Sequence, residues 1–129
     1  MLAVDTNVLV RFLTGDDPRQ AARALALFRA EQVWVAKTVL LETEWVLRSL
    51  YGFGGDRTAV ALQGLVGLDN VRVEDAQAVQ RALIWSAAGL DFADALHLAS
   101  VDQAEAFVTF DGSLRKRVAR LSGIPLRAL

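Results

Sequence analysis

Four acidic side chains stand where apolar strand-like runs meet helical segments, and they are the residues of this sequence best suited to chemistry. They are Asp5, Glu42, Asp94 and Asp111. Carboxylates brought to one place repel each other, and a hard divalent cation relieves that repulsion. A set of oxygen donors suits Mg²⁺ or Mn²⁺ rather than zinc. Because such ions hold phosphates and keep several waters, phosphoryl chemistry is the expected reaction class.

The composition excludes several other kinds of site. The 129 residues include no cysteine and one histidine, His97, which excludes disulfides, thiolate zinc sites, cysteine nucleophiles and His-rich metal sites. The net charge of −1 predicts neither a strongly basic nucleic-acid binder nor a strongly acidic surface. Of the 14 basic residues only Lys37 and Lys116 are lysines; this arginine excess fits a GC-rich genome and bidentate phosphate binding alike.

The apolar content predicts a folded chain. Hydrophobic residues make up 53% and the mean hydropathy is +0.31, which excludes disorder. The longest uncharged run, 58–68, is shorter than the roughly 18 residues that a membrane span needs. Asp5 interrupts the apolar opening and the first basic residue is Arg11, unlike a secretion signal. We therefore expect one cytoplasmic domain over residues 1–129 that makes no membrane contact.

Strands alternating with helices must position the acids, which predicts the α/β class: a three-layer α/β/α fold with a mostly parallel sheet of about five strands. The strands are expected at 2–5, 33–36, 71–73, 106–109 and 123–126. The helices that carry Glu42 and Asp94 are expected over 38–51 and 91–104, the first capped by Thr38. Strand C-termini and helix N-termini share one edge of a parallel sheet, so the four acids should converge there.

Each acid also has a purely structural explanation, because Asp and Glu favour helix N-termini and turns. Asp91 is a plain cap with a supporting role as the alternative, and Asp111 fits a turn. Asp5 fits this explanation worse, since it lies between two apolar runs where a buried carboxylate needs a partner. Glu42 competes with Glu44, and the apolar residues preceding Glu42 favour it as the second acid.

Four blocks of the chain, in order, resemble the motifs of PIN domains, specifically of VapC-type toxins. The blocks are Asp5–Pro18 (DTNVLVRFLTGDDP), Leu41–Leu47 (LETEWVL), Asp91–His97 (DFADALH) and Thr109–Asp111 (TFD). The resemblance covers nearly the whole chain. It implies a PIN fold and a Mg²⁺- or Mn²⁺-dependent endoribonuclease that acts as the toxin of a type II toxin–antitoxin pair.

The resemblance also implies roles for individual residues. The acidic quartet that holds the metal and carries catalysis would be Asp5, Glu42, Asp94 and Asp111, supported through hydrogen bonds by Asn7 and Thr109. The implied substrate is structured RNA such as tRNA or rRNA. The implied partners are a VapB-like antitoxin and a second copy of the chain in a homodimer.

Basic and aromatic residues add further expectations. Arg115 and Lys116 begin a run of positive charge after Asp111 that either contacts RNA or forms a solvated helix face. His97 shares a helix face with Asp94 and is expected to pack or support rather than act as an acid. We expect Trp45 and Tyr51 to lie near a groove that receives an amphipathic antitoxin helix.

Three other functions remain open. A haloacid-dehalogenase-like phosphatase also has an aspartate after its first strand, but it requires another two residues later, where Asn7 stands, and a lysine that only Lys116 could supply. A non-catalytic interaction module would explain the acids as helix caps. A PIN nuclease of RNA processing, outside a toxin pair, would use the same quartet.

Overall fold

The computed structural model describes residues 1–129, in which strands and helices alternate along the chain. The strands are β1 Leu2–Ala3, β2 Val33–Val35, β3 Val71–Val73, β4 Phe107–Thr109 and β5 Leu126–Ala128. The helices are α1 Thr6–Thr14, α2 Pro18–Ala30, α3 Lys37–Ser49, α4 Gly55–Val66, α5 Ala76–Ala87, α6 Phe92–Ala99 and α7 Gly112–Leu121. The α/β class is therefore confirmed. None of the helices has the length and apolar character needed to traverse a membrane.

The five strands are all parallel, but they form two sheets and not the single sheet that the sequence predicts. One sheet has the order β1-β2-β3, with Leu2 opposite Val33 and Val33 opposite Val71. The other pairs β4 with β5, with Phe107 opposite Leu126. β1 is the edge strand of the three-stranded sheet. Because it is only two residues long, it offers few backbone hydrogen-bonding groups to a second neighbouring strand.

The core lies around the three-stranded sheet. On β2, Val33 and Val35 are fully buried, and so are Leu40 of α3 and Leu83 of α5. Helices α5 and α6 pack closely against each other and cover one side of this core. Burial of such apolar side chains contributes about 2 kcal/mol each, so the sheet and its helices carry most of the stability.

Local capping signals set most helix starts. Asp17 accepts hydrogen bonds from the backbone N–H groups of Arg19 and Gln20, and Pro18 occupies the first turn of α2, an arrangement that favours a helix start. The cap expected from Thr38 is wrong, because α3 begins at Lys37 without a side-chain cap. The backbone N–H of Lys37, at the start of α3, instead donates to the Oε1 of Glu74 at 2.9 Å.

Helix α6 is shorter than expected, since it ends at Ala99 and not near residue 104. The Ser100 hydroxyl donates to the Leu96 carbonyl at 2.7 Å, and its N–H bonds to the last turn. Asp91 does open this helix, because its carboxylate accepts from the Asp94 N–H at 3.1 Å. The start of α6, which bears the acid of interest, is thus confirmed.

Candidate functional site

Asp5 lies at the junction of β1 and α1. Its Oδ1 accepts from the Val8 N–H at 3.1 Å, which makes Asp5 the N-cap of α1. The side chain is exposed, so the expected buried carboxylate is wrong: the chain turns into the helix directly after the buried Val4. An exposed cap keeps its second oxygen available to another group.

Glu42 lies next to Asp5. Its carboxylate accepts from the Thr6 hydroxyl, which joins α3 to the first turn of α1. Asp5, Asn7 and Glu42 line one cavity of about 270 Å³. The first two acids that the sequence singles out are therefore brought together, with the Asn7 amide beside them.

Glu44 is buried, unlike Glu42, although both line a cavity with Trp45. Its exposed fraction is 4%, and it forms an ion pair with Arg48 one helical turn later. Arg48 also lies 4.0 Å from a carboxylate oxygen of Asp91. The hydrogen bond that the Arg48 guanidinium donates to Glu44 raises the pKa of Arg48. Glu44 is thus engaged as the buried partner of Arg48, whereas the Glu42 carboxylate opens onto the cavity.

Asp94 lies half-buried in the first turn of α6 and accepts no hydrogen bond from the chain. Burial raises the pKa of its carboxyl, and the negative charges of Asp91 and Asp111 raise it further against an opposing effect of His97. Asp94 and Asp111 are therefore close enough to interact. A crowded carboxylate without a partner favours a nearby positive charge.

Asp111 begins α7 and is engaged as a cap. Its Oδ1 accepts from the N–H groups of Ser113 at 2.9 Å and Leu114 at 3.1 Å. The hydrogen bond from the Leu114 N–H is the main reason that the pKa of Asp111 lies below its ordinary value. Thr109 supports this turn, because its Oγ1 accepts from the Asp111 N–H at 3.0 Å.

The rim thus holds its acids in two places, Asp5 beside Glu42 and Asp94 near Asp111. No group of three His, Asp or Glu side chains is arranged to share one metal ion, so the expected gathering of all four is only partly found. The chemistry of the donors still fits a hard divalent ion, since every acid offers oxygen. The crowding at Asp94 is what such a cation would relieve.

The basic residues that follow Asp111 lie on two sides of α7. The Arg115 guanidinium lies 3.5 Å from the position that a Cβ on Gly112 would take, over the start of the helix. Lys116, Arg117 and Arg120 line a separate cavity of about 450 Å³ beside Gly89. Arg115 and Lys116 therefore lie on different faces of the helix, because neighbouring helix residues point in different directions; their contact with RNA stays a prediction. Arg117 acts on both places: it donates to the Gly89 carbonyl at 3.3 Å, and its charge lowers the pKa of Asp111.

A polar network beside α1 was not expected. One nitrogen of Arg11 donates to Asp16 and to the Tyr51 hydroxyl, and its Nε donates to Gln20 at 2.7 Å. The Tyr51 hydroxyl in turn donates to Asp16 at 2.6 Å, which raises the pKa of Tyr51. Tyr51 is thus engaged here, whereas Trp45 is 53% exposed and lines a cavity with Glu42 and Arg48. The spacing of Arg11 and Asp16 was the available signal for the network.

Comparison with known proteins gives one family. A sequence model of the family described as PIN domain matches residues 2–120, a range that includes all four acids. A search of curated proteins gave no match. Among solved structures, the chain is similar to the crystal structure of Mycobacterium tuberculosis VapC20, described as a sarcin-ricin loop cleaving toxin. The identity is 24%, the alignment covers 97% of this chain and 99% of that chain, and the TM-score is 0.46.

Proposed function

The chain belongs to the PIN-domain family, and from this premise we propose that it is a metal-dependent endoribonuclease that hydrolyses RNA phosphodiester bonds. The observation that carries the proposal is Asp94. It is a half-buried carboxylate with no hydrogen-bond donor of its own, and its pKa is raised by burial and by neighbouring acids. Such a group destabilises the fold unless a cation uses it.

We propose that the ligands of Mg²⁺ or Mn²⁺ come from the two acidic pairs of this rim, Asp5 with Glu42 and Asp94 with Asp111. A divalent ion held by these carboxylates would supply Lewis-acid chemistry to the scissile phosphate and would activate water. The chain's part is to hold the oxygens in place: the Val8 N–H fixes Asp5, and the Thr6 hydroxyl fixes Glu42. Asp91 and Thr109 support the acids without touching the ion. Asp91 accepts from the Asp94 N–H and so orders the start of α6, and Thr109 accepts from the Asp111 N–H and so orders the turn that bears Asp111. Asn7 offers its amide to the phosphate from the cavity that it shares with Asp5.

The test is cleavage of labelled total RNA by the purified chain with Mg²⁺ or Mn²⁺, with EDTA, and with the Asp5→Asn/Asp94→Asn variant as the contamination control. Discrete fragments that require metal and disappear in the variant support the proposal and identify the RNA, with tRNA and rRNA as the expected targets. Cleavage that persists in the variant contradicts it. No cleavage of tRNA or rRNA by the folded, metal-loaded protein would also contradict it.

A second candidate is a non-catalytic interaction module. Asp5, Asp91 and Asp111 all accept capping hydrogen bonds, so helix capping alone explains three of the acids. It explains neither Glu42 nor Asp94, neither of which caps a helix. A chain that binds RNA or protein but never cleaves RNA would favour this function.

We further propose that the nuclease is the toxin of a toxin–antitoxin pair, held inactive by a VapB-like antitoxin and active as a homodimer. The support is the resemblance of the Arg11–Pro18 block to VapC-type toxins and the exposed Trp45 beside Glu42. A small gene directly upstream whose product stops cleavage would distinguish a toxin from a PIN nuclease of RNA processing. Calorimetry should show weaker antitoxin binding for Trp45→Ala and unchanged binding for Val60→Ala, an exposed residue on α4.

RNA contacts by α7 complete the proposal. Lys116, Arg117 and Arg120 share a cavity with no acidic residue in its lining, while Arg115 lies over the helix start near Asp111. Replacing Lys116 and Arg120 by Gln should weaken RNA binding and reduce its salt dependence by about 0.7 in log–log slope per lost phosphate contact. An unchanged slope would leave this face merely solvated.

A further inference from the structure

A cavity of about 450 Å³ lies between α1 and α2, and its lining does not include Glu42. Its polar lining consists of Asp5, Asn7, Arg11, Gln20 and Arg23. Asp5 lines this cavity and also the one that it shares with Glu42. The cavity therefore begins at the proposed reaction centre and extends along α2.

Arg11 is already engaged and does not explain the cavity. Its guanidinium is ion-paired with Asp16 at 3.1 Å and donates to Tyr51. Its Nε donates to the Oε1 of Gln20, which holds that side chain with its acceptor occupied. The amide NH₂ of Gln20 makes no hydrogen bond within the chain, so the network presents two donors to the cavity.

Arg23 supplies the charge. It is exposed on α2 and forms neither an ion pair nor a hydrogen bond with any residue of the chain. Since Asp16 neutralises Arg11, the groups left to a ligand are the Arg23 guanidinium and the Gln20 amide, with Asn7 at the Asp5 end. Donors of this kind bind an anion, and Arg with an amide suits the oxygens of a phosphate.

We infer that this α1–α2 cavity binds the RNA phosphate adjacent to the scissile one, with Arg23 making the ionic contact and Gln20 a hydrogen bond. The inference rests on the proposed nuclease function and adds to it the path of the strand. Cleavage of the scissile phosphodiester takes place beside the carboxylates in this proposal. The next phosphate along the RNA backbone would contact the hydrogen-bond donors of the α1–α2 cavity, whose lining includes no acidic residue other than Asp5. The substrate strand therefore leaves the acidic rim over α2.

Two substitutions test the cavity without disturbing its walls. Arg23→Gln removes the charge from an exposed position. Gln20→Glu keeps an oxygen for Arg11 to donate to but replaces the amide donors by a negative charge. Arg29→Gln is the matched control, because Arg29 is an exposed arginine of the same helix that does not line the cavity. Equal thermal midpoints for all four proteins would establish that folding is unaffected.

The first readout is binding of a labelled single-stranded oligouridylate in EDTA, measured by fluorescence anisotropy over a range of salt. We expect Arg23→Gln to raise Kd about five- to tenfold and to reduce the log–log salt slope by about 0.7, the value for one phosphate contact on a single strand. Gln20→Glu should raise Kd similarly, and Arg29→Gln should change neither quantity. Equal Kd and slope in Arg23→Gln and wild type would overturn the inference.

The second readout is RNA cleavage with Mg²⁺, which separates this inference from the function on which it rests. A contact made equally in ground and transition states raises KM and leaves kcat unchanged, which is the expected result for Arg23→Gln. A wild-type chain that binds RNA through Arg23 but never cleaves it would disprove the nuclease and retain the cavity. A chain that cleaves normally in all variants would disprove the cavity and retain the nuclease.

Discussion

Asp5 and Glu42 project from helices packed on the three-stranded sheet, whereas Asp111 begins a helix attached to the separate β4–β5 pair. Helices α1 and α3 bury Leu9 and Leu40 completely in the main core. The buried residues of α7 are Leu114 and Val118, and Val108 on the neighbouring β4 is 50% exposed. Local opening is easiest where few apolar contacts are lost. Leu114 and Val118 belong to the same core cluster as Leu9 and Leu40, so we expect the Asp111 end to open more readily than the Asp5 end only because β4 and its neighbours are more exposed.

Asp94 is the half-buried acid of the Asp111 end, and its substitution should have the largest effect. Asp94→Asn removes a charge that the proposed ion would contact, and Asp5→Asn does the same while asparagine keeps the cap on α1. Each should lower cleavage about 10³-fold, the scale of metal-ion stabilisation of a transition state. Since burial and neighbouring acids raise the pKa of Asp94, the neutral variant should be no less stable at pH 7. Kinetics and thermal melts would check both; a stable variant with normal cleavage would remove Asp94 from the site.

Glu42 and Glu44 sharpen the comparison within one helix. Glu42→Gln should lower cleavage about 10²-fold with an unchanged melting temperature, because the side chain is exposed at the rim. Glu44→Gln should lower the free energy of unfolding by about 2 kcal/mol, because it leaves Arg48 without its buried partner. Urea denaturation and cleavage per folded molecule distinguish the two. The reverse pattern would make Glu44 the acid of the site.

The Asp111 end can be tested by separating the cap from the charge. Asp111→Ala loses both and should destabilise α7 by about 1 kcal/mol, seen as faster amide hydrogen exchange in α7 and not in α3. Asp111→Asn keeps the cap, so its exchange should match wild type, and any fall in cleavage then reports the charge. Equal acceleration in α3 and α7 would show that the two ends unfold together.

The smallest expected effect is on the loss of stability at low pH. The hydrogen bond from the Tyr51 hydroxyl, then that from Thr14, holds the pKa of Asp16 below its ordinary 3.8. A lowered pKa contributes stability that is present above the unfolded value and is lost as pH falls through the folded value. Tyr51→Phe should therefore flatten the acid dependence of the urea midpoint below pH 3.8. The α7 cap would still titrate, because the pKa of Asp111 is lowered by its own contacts. Acid profiles that coincide for Tyr51→Phe and wild type would leave the network without a role in stability.

Local patterns predicted what local physics determines. The cap at Asp91 and the positions of β2, β3 and β4 follow from residues within a turn or two of the chain. The last strand, expected at 123–126, lies instead at Leu126–Ala128. Contacts between distant segments could not be read in this way: Glu74 caps α3 from another element, and the short β1 leaves β4 to pair only with β5. Such contacts depend on how helices and strands pack in three dimensions, and a short stretch of sequence does not determine that packing.

The site was predictable in part for the same reason. The sequence predicts the positions of acids that follow strand ends, such as Asp5 and Asp111. Whether a glutamate on a helix lies at the rim or in the core depends on packing. The Glu44–Arg48 spacing was a signal for an inward ion pair, and the angular separation of consecutive helix residues was a signal that Arg115 and Lys116 diverge. The α1–α2 cavity had no such signal, because Arg23 becomes significant only once α2 lies beside Asp5.

Trp45 gives the molecule an optical probe of its own. Its indole is half-exposed and lines a cavity with Glu42, whereas Trp85 is buried and Trp34 lies on β2. Mn²⁺ is paramagnetic and quenches the fluorescence of a nearby indole, whereas Mg²⁺ is diamagnetic and does not. Fluorescence intensity would therefore distinguish the two ions. A loss of emission that requires Mn²⁺ and disappears in Trp45→Phe would therefore indicate an ion bound near Trp45 without any RNA present.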